Sequence, residues 1–410
     1  MPASTETLVN LRALTSEARG KANVTVPDEK RIFKNKYPYN VRVNKITAVS
    51  GVSFGNTYNF QLPTFGQVCG ESFIEMTLPA LAGTDTYRRY PLVQLVKKIV
   101  YRASTNFYEF EPAKDLPILL NRCKDPTQKA QLLALFEDSA LSGSGGTYVL
   151  PLVTPWSVWH SDRLMVGPIK HHNRAGGIWD SSMLADNLVI EIQFHTVADA
   201  LSDSGAAFAT ASNLGDVIVR WEEIVASPNV LSAIKAEIPN NFMCEEYTRL
   251  EDQVVQDDSA TTYRVASLVS RAGTHGFYFR VRAATDDTTL LDPFLGDEHI
   301  SSLVIRCDGR EIYNSDSHPD RTRNYLKVLA GDPGDVGKPK FAHWMFGNSS
   351  RNYDAGHITG MLKNGACNEL DLDIQCIGRV TDPDMLLDIV AVHLRQFTFE
   401  DRTIRDSNVY

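Results

Sequence analysis

The side chains whose types suit catalysis or metal binding occur as adjacent pairs or triplets. They are His171-His172, Glu222-Glu223, Asp286-Asp287 and Asp316-Ser317-His318. Paired carboxylates are the catalytic groups of glycoside hydrolases, and imidazoles or carboxylates can bind zinc or calcium. Such groups act together only if the backbone aims them at one point, and adjacent side chains on a strand point to opposite faces. The elements that carry them therefore decide whether any cluster is a site.

The Glu222-Glu223 pair follows an alternating stretch that contains Val217, Val219 and Trp221, which predicts the end of a strand. The two carboxylates should then face opposite sides and make a poor hydrolytic pair. The two clusters that contain aspartate lie in polar loops, where solvated turn residues are expected. The histidine pair lies in a long loop flanked by tryptophans. A loop would still allow the two adjacent histidines to bind one metal ion, and the paired aspartates would suit calcium.

Longer motifs for zinc and phosphate binding are missing. The ten histidines form no HxH, HExxH or HxxxH pattern, and the chain has no GxGxxG or GxxxxGK[ST] loop. The sequence therefore predicts no catalytic, no cofactor-binding and no metal-binding residue. We expect the function to come from the architecture of the protein.

Composition favours an ordinary folded protein. Of 410 residues, 43% are hydrophobic and 22% are charged, which is enough chain for two substantial cores. The formal net charge is −9, so the bulk charge argues against a nucleic-acid coat and against sequence-specific nucleic-acid binding. No apolar segment has the length of a signal peptide or a membrane span. The six cysteines form no CxxC pair and are expected to be reduced thiols of a protein made in a cytoplasm.

Two stretches show the clearest alternation of apolar and polar residues. They are Asn187–Ala198 and Leu370–Cys376, and each lies late in its own half of the chain. In the first, Ile190 and Ile192 are predicted to be buried, whereas Glu191 is predicted to lie on a wetter face. Each half of the chain is therefore expected to be a β-domain built around such a strand.

The remaining pattern predicts an all-β protein of two tandem domains. Further strands are expected at Tyr58–Leu62, Ile74–Leu78, Leu92–Arg102, Asn106–Phe110, Thr147–Val153, Val217–Trp221, Tyr263–Ser270, Phe277–Arg282, Leu303–Cys307, Lys340–Phe346 and Leu386–Thr398. A helical insertion is expected at Ala113–Asp138 and a short helical run at Val230–Ala236. The predicted divisions are an N-terminal arm (1–36), a first jelly roll (37–227), a linker (228–241) and a second jelly roll (242–410).

Several of these stretches resemble the double jelly-roll major capsid proteins of large icosahedral DNA viruses, the iridovirus and chlorovirus group. In the first half the resemblance is carried by Tyr58–Pro63 with Gly66, Ile74–Pro79, Leu92–Val100, Leu150–Leu152 and Leu188–Phe194. In the second half it is carried by His343–Phe346, Gly356 and Leu370–Ile374. The family's closing block usually has Pro-Ser-Gly followed by Asn and Arg, whereas here Asp354 and Ala355 precede Gly356.

The resemblance implies two antiparallel eight-stranded jelly rolls and a structural role without catalysis. It implies a homotrimer whose six jelly rolls form a pseudo-hexagonal capsomer that tiles an icosahedral shell in the virion. Neighbouring capsomers, minor capsid proteins and penton proteins would be its partners, after synthesis and assembly in the host cytoplasm. The arm has seven Lys or Arg and four Asp or Glu, so it would suit the internal viral membrane or a minor protein.

Two other functions fit the same pattern. The departure at Asp354 and Ala355 leaves open a penton or minor capsid protein of the same lineage. Tandem jelly rolls also occur in glycan-binding proteins and in glycan-cleaving amidases, which are typically secreted. Oligomeric state distinguishes them, because a stable trimer favours a capsomer and a monomer favours the enzyme or lectin.

Overall fold

The computed structural model describes residues 39–48, 51–62, 68–87, 90–103, 105–116, 145–154, 179–196, 208, 214–238, 241–249, 253–255, 260–264, 274–283, 300–314, 342–345, 369–376 and 385–408. In the first half the strands are β1 (Asn40–Thr47), β2 (Thr57–Leu62), β3 (Val68–Leu78), β4 (Val96–Ala103), β5 (Thr105–Phe110), β6 (Gly146–Pro151), β7 (Trp179–Asp180), β8 (Leu188–Phe194) and β9 (Val217–Val225). The helices are α1 (Pro91–Leu95) and α2 (Pro228–Glu237), with a 3-10 turn at Ser181–Met183. Among these residues, no helix is long and apolar enough to cross a membrane.

The second half follows the same plan. Its strands are β10 (Asn241–Arg249), β11 (Gln253–Val255), β12 (Ala260–Arg264), β13 (Thr274–Ala283), β14 (Ile300–Cys307), β15 (Arg310–Asn314), β16 (Ala342–Met345), β17 (Leu370–Cys376), β18 (Met385–Glu400) and β19 (Thr403–Asn408). All pairings between the described strands are antiparallel. Antiparallel strands can be joined by short turns, whereas parallel strands need long crossover connections.

Strand order identifies each half as a jelly roll. The first half has one sheet in the order β1-β9-β3-β6 and another in the order β2-β8-β4-β5. The second half has β10-β18-β13-β16 and β12-β17-β14-β15, which is the same order strand for strand. We call these halves the first roll and the second roll. The expected fold class, two tandem antiparallel eight-stranded jelly rolls, is confirmed.

Hydrophobic alternation places the core of the first roll between its sheets. Phe60, Ile74, Ile99 and Ile192 each have none of their surface exposed, and all face inward from neighbouring strands. The predicted burial of Ile190 is confirmed as well, with 1% exposed. Burying such side chains stabilises a fold by roughly 1.5–3 kcal/mol each relative to leaving them in water.

One expectation on β8 is wrong. Glu191 lies on the outer face of its sheet, as predicted, but it is buried rather than wet. Its carboxylate pairs with Arg102 at 2.7 Å and accepts a hydrogen bond from Gln193 at 2.9 Å. A carboxylate is stable in such a place because charged partners replace its lost hydration.

The predicted strand over Leu92–Arg102 begins later than expected. Residues Pro91–Leu95 form helix α1, and β4 starts only at Val96. Pro91 stands in the first turn of the helix, where proline's missing N–H has no cost, and Tyr90 precedes it with a φ of 57°. The apolar run could not reveal this, because a short buried helix and a buried strand have the same composition.

The helical predictions have separate outcomes. The run at Val230–Ala236 is confirmed, since α2 covers Pro228–Glu237. Of the predicted insertion Ala113–Asp138, residues 113–116 are helical and the remainder lies outside the described residues.

The described cysteines also differ from one another. Cys69 is a buried thiol outside any disulfide, and burial, followed by the nearby Glu223 and Asp180, raises its pKa to about 12. Cys307 is disulfide-bonded, so the expectation of reduced thiols is wrong for that residue. The high pKa keeps Cys69 protonated and unreactive at neutral pH, since only the thiolate is a nucleophile.

An ion pair on the outer face of the first sheet makes the stability of this roll depend on pH. The Arg220 guanidinium donates to both Glu75 oxygens, at 2.8 and 2.9 Å, and these hydrogen bonds lower the pKa of Glu75. A lowered carboxyl pKa adds stability above the unfolded-state pKa of about 4.3, and this stability is lost as pH falls through the folded-state value. We expect Glu75→Gln to cost roughly 0.5–1 kcal/mol at pH 7 and nothing once both states are protonated. Melting curves of the two proteins from pH 7 to 3 should therefore converge at the acidic end, and a constant offset would contradict this assignment.

Candidate assembly surfaces

The paired glutamates on β9 are part of the scaffold. Glu222 and Glu223 are both buried, and they face opposite sides of the sheet as the alternation predicts. The Glu223 carboxylate accepts hydrogen bonds from Arg42 and Asn44 on the adjacent β1, each at 2.6 Å. These contacts tie the edge strand β1 to the sheet. Because the two carboxylates face opposite sides of the sheet, they cannot act together on one substrate.

A serine motif lies just before β2. The segment Gly51–Gly55 has the GxSxG spacing of a hydrolase nucleophile, with Ser53 at its centre. A nucleophile elbow joins a strand to a helix, whereas this segment leads from β1 into β2. The Ser53 hydroxyl lies 3.2 Å from the Tyr58 hydroxyl and accepts a hydrogen bond from Asn56. The motif is therefore a hydrogen-bonded turn.

His171-His172, Asp286-Asp287 and Asp316-Ser317-His318 lie outside the described residues, as does the arm over residues 1–36. Within the described ranges, no group of three or more His, Cys, Asp or Glu side chains is placed to hold a metal ion. The described features that remain as candidates are surfaces.

The two rolls meet through an aromatic contact. Phe107 on β5 of the first roll packs edge-to-face against Phe397 on β18 of the second, with ring centroids 5.8 Å apart and planes at 83°. Phe397 is 1% exposed, and with Phe399 it belongs to the hydrophobic core of the first roll. The Arg395 guanidinium carbon lies over the Phe397 ring, 4.8 Å from its centroid, which is a favourable cation–π distance.

A hairpin extends this contact. β18 runs past the end of β13 and turns back into β19 through Asp401 and Arg402, whose φ angles are 52° and 60°. The Arg402 carbonyl accepts a hydrogen bond from the Ala185 amide at 2.8 Å, and its guanidinium donates to the Leu184 carbonyl at 3.3 Å. The turn at the end of the second roll is thus bonded directly to the backbone of the first.

Apolar side chains remain exposed at two places. The exposed large hydrophobic residues of the described chain are Val41 at 42%, Val43 at 51%, Val225 at 42% and Ile312 at 46%. The three valines lie where β1 begins and β9 ends, because Asn40 pairs with Val225. Ile312 lies on β15, at the edge of the second roll. Val41 and Val43 adjoin each other on one face of β1, whereas Ile312 is a single exposed residue, so these side chains are candidates for an interaction surface.

Comparison with solved structures agrees with the topology. VP54 of PBCV-1, from a crystal structure fitted into a cryo-EM reconstruction of the Sputnik virophage, matches with a TM-score of 0.66 at 10% identity, over 91% of this chain and 98% of that one. The Faustovirus major capsid protein matches with a TM-score of 0.58 at 10% identity, over 96% and 97%. The mavirus major capsid protein matches with a TM-score of 0.50 at 11% identity, over 90% of both chains.

Sequence comparison adds nothing to these matches, since no protein-family model and no curated protein matches the chain. The structural likeness nevertheless covers nearly the full length of both partners in each comparison. The chain therefore has the double jelly-roll fold of these viral major capsid proteins.

Proposed function

We propose that this protein is a structural capsid protein that forms homotrimers, in which six jelly rolls make one pseudo-hexagonal tile of an icosahedral shell. The observation that carries the proposal is the repeated strand order of the two rolls, and the structural match to PBCV-1 VP54 over 91% of this chain supports it. Two equivalent rolls per chain and three chains per tile give six similar edges, which is what a hexagonal lattice needs.

The proposal includes the partners and the place of action. Neighbouring capsomers, minor capsid proteins and penton proteins would contact the flanks of the rolls, and the protein would act in the virion after assembly in the host cytoplasm. The role is structural and involves no catalysis. We keep the divisions at 37–227, 228–241 and 242–410 as part of this proposal.

The first experiment is the mass of the purified full-length protein by light scattering, together with negative-stain images. We expect a mass of three chains and particles with three-fold, nearly hexagonal outlines. A monomer would contradict the proposal and would favour a glycan-binding protein or a glycan-cleaving amidase. A five-fold particle would instead favour a penton protein of the same lineage.

The N-terminal arm gives a second prediction. Its excess of three positive charges suits the anionic inner side of a shell, where each basic residue near a membrane contributes about 1 kcal/mol before salt screening. Deleting residues 1–36 is expected to leave a folded trimer with nearly normal melting and to impair shell assembly. If the truncated protein does not fold, the arm is part of a jelly roll. Assembly as efficient as that of the full chain would show that the arm has no role in the shell.

A further inference from the structure

The first roll contains a β-bulge at its edge hairpin. In the pairing of β4 with β5, Tyr101 lies opposite Tyr108 and Arg102 lies opposite Asn106. Phe107 is therefore the extra residue between two paired positions. A bulge changes the direction of the side chain of the extra residue, and bulges are common at sheet edges. Here it is the residue that contacts the second roll through Phe397.

The second roll has the same bulge at the corresponding hairpin. In the pairing of β14 with β15, Ile305 lies opposite Tyr313 and Arg306 lies opposite Glu311. The extra residue is Ile312, which makes it the structural counterpart of Phe107.

An ion pair confirms this correspondence independently. In the first roll, Arg102 pairs diagonally with Glu191 on the neighbouring β8 at 2.7 Å. In the second roll, Arg306 pairs with Asp373 on the neighbouring β17. Glu191 lies opposite Val100, two residues before Arg102, and Asp373 lies opposite Val304, two residues before Arg306. The register of the three neighbouring strands is therefore the same at both edges.

The two counterparts differ in what covers them. Phe107 is 7% exposed, since it packs on the second roll of its own chain. Ile312 is 46% exposed. The second roll therefore presents an apolar side chain at the place where the first roll uses one to bind a neighbouring roll.

The surface of the second roll that Phe107 contacts also has a counterpart on the first roll. β1 and β9 begin their pairing with Asn40 opposite Val225, and β10 and β18 begin theirs with Asn241 opposite Thr398. Counting from these pairs, Ile224 of the first roll corresponds to Phe397 of the second. Both lie on the outer face, because the inward residues Val219 and Val392 also correspond in this register.

Ile224 itself is 3% exposed and belongs to the core of the first roll, and exposed valines lie beside it on β1. Val41 lies directly opposite it on β1, and Val43 lies two residues further along the same face. These two valines are 42% and 51% exposed. Three of the four exposed large hydrophobic residues of the described chain, Val41, Val43 and Ile312, thus lie at the counterparts of the two sides of the Phe107–Phe397 contact. The fourth, Val225, is next to Ile224 but faces the other side of the strand.

We propose that Ile312 of one chain packs against Val41 and Val43, beside Ile224, of a second copy of this chain. The contact between chains would repeat the contact that joins the two rolls within each chain. It rests on the proposed function and specifies which surfaces of the trimer meet. The contact is heterologous, since its two sides differ, so successive copies form a closed ring when the rotation between them allows it.

The contact between chains differs from the one within a chain in one respect. β18 continues into the hairpin with β19, which bonds to Leu184 and Ala185, whereas β9 ends at Val225 and is followed by α2. The backbone hydrogen bonds of that hairpin therefore have no counterpart between chains. Association should depend more strongly on the apolar side chains, which makes single substitutions informative.

The test compares the native mass of three full-length variants with that of the wild type across a dilution series. Ile312→Asp and Val43→Asp should each weaken trimer association at least about thirtyfold, because each puts a charge at the centre of an apolar contact. Their circular dichroism spectra should remain those of a folded chain, since both positions are exposed in the single chain. Gln61→Asp adds the same charge at an exposed position on β2 and should leave the trimer intact.

A cross-linking experiment tests the geometry directly. A chain carrying both Val43→Cys and Ile312→Cys should form covalent trimers under mild oxidation, whereas either single substitution should not. A wild-type trimer that Ile312→Asp leaves unchanged would overturn this inference and leave the proposed function standing. A wild-type monomer at every concentration would overturn both.

Discussion

Replacing Phe397 by alanine is expected to lower the free energy of unfolding by about 3–5 kcal/mol and to separate the unfolding of the two rolls. The side chain is 1% exposed, and it belongs to the second roll by sequence and to the core of the first by contact. Its loss leaves a cavity beside Phe107 and removes the ring that Arg395 covers. Calorimetry should show one transition for the wild type and two for the variant, because cooperativity between domains depends on their shared contacts.

Phe60→Ala is the matched control for this experiment. Phe60 has none of its surface exposed and lies wholly within the first roll, so its removal should cost a similar amount. It should not split the transition, since the contact between the rolls stays intact. Equal splitting in both variants, or none in either, would mean that Phe397 does not couple the rolls.

Replacing Ile192 by alanine is expected to cost about 2–5 kcal/mol. Ile192 has none of its surface exposed and lies on β8, with Tyr58 opposite it on β2 and Ile99 opposite it on β4. Three missing carbon atoms at this place leave a cavity that the flanking strands cannot close without breaking their ladders. Denaturant unfolding measures the loss, and Gln61→Ala on the exposed face of β2 should change the midpoint little.

The neighbouring Glu191 sharpens the comparison. A solvated glutamate would tolerate replacement, but here the carboxylate is buried and bonded to Arg102 and Gln193. Glu191→Ala should therefore cost roughly 1–3 kcal/mol, the usual effect of losing hydrogen bonds to a buried charge. A negligible change in the free energy of unfolding would show that water satisfies the partners of the carboxylate equally well.

Much of the fold follows from alternation in the sequence. The inward residues of β2, β8, β14 and β17 could be predicted because a half-buried strand repeats every second residue. The order of the strands could not be derived in this way, because alternation does not say which strand lies next to which. The resemblance of particular stretches to a known family implied two jelly rolls, and the structure supplies the order of their strands.

The two hairpin turns of the second roll differ in how clearly the sequence marks them, and the strand after the second turn, β19, was not predicted. Asp308-Gly309 joins β14 to β15 with both φ angles positive, and Asp-Gly is a recognised hairpin signal. Asp401-Arg402 has the same backbone form without a glycine, so nothing in its composition marks a hairpin. The contacts of Arg402 with Leu184 and Ala185 help to hold this less favourable turn, and they exist only after the rolls have met.

The candidate surfaces were beyond sequence reasoning for a related reason. Phe107 and Ile312 are ordinary apolar residues in short strands. Alternation alone would assign each of them to a face as if its strand were regular. The bulge shifts each by one position and turns it toward the edge of its roll. Only the register of three adjacent strands shows that the two residues correspond.

Cryo-electron microscopy of the purified oligomer, at a resolution that separates strands, tests the central claim most directly. We predict a three-fold ring of six jelly rolls in which contacts of two kinds alternate. Phe107 would meet Phe397 within each chain, and Ile312 would meet Val41 and Val43 between chains. A two-fold dimer, or a three-fold ring in which Ile312 faces solvent, would contradict the account.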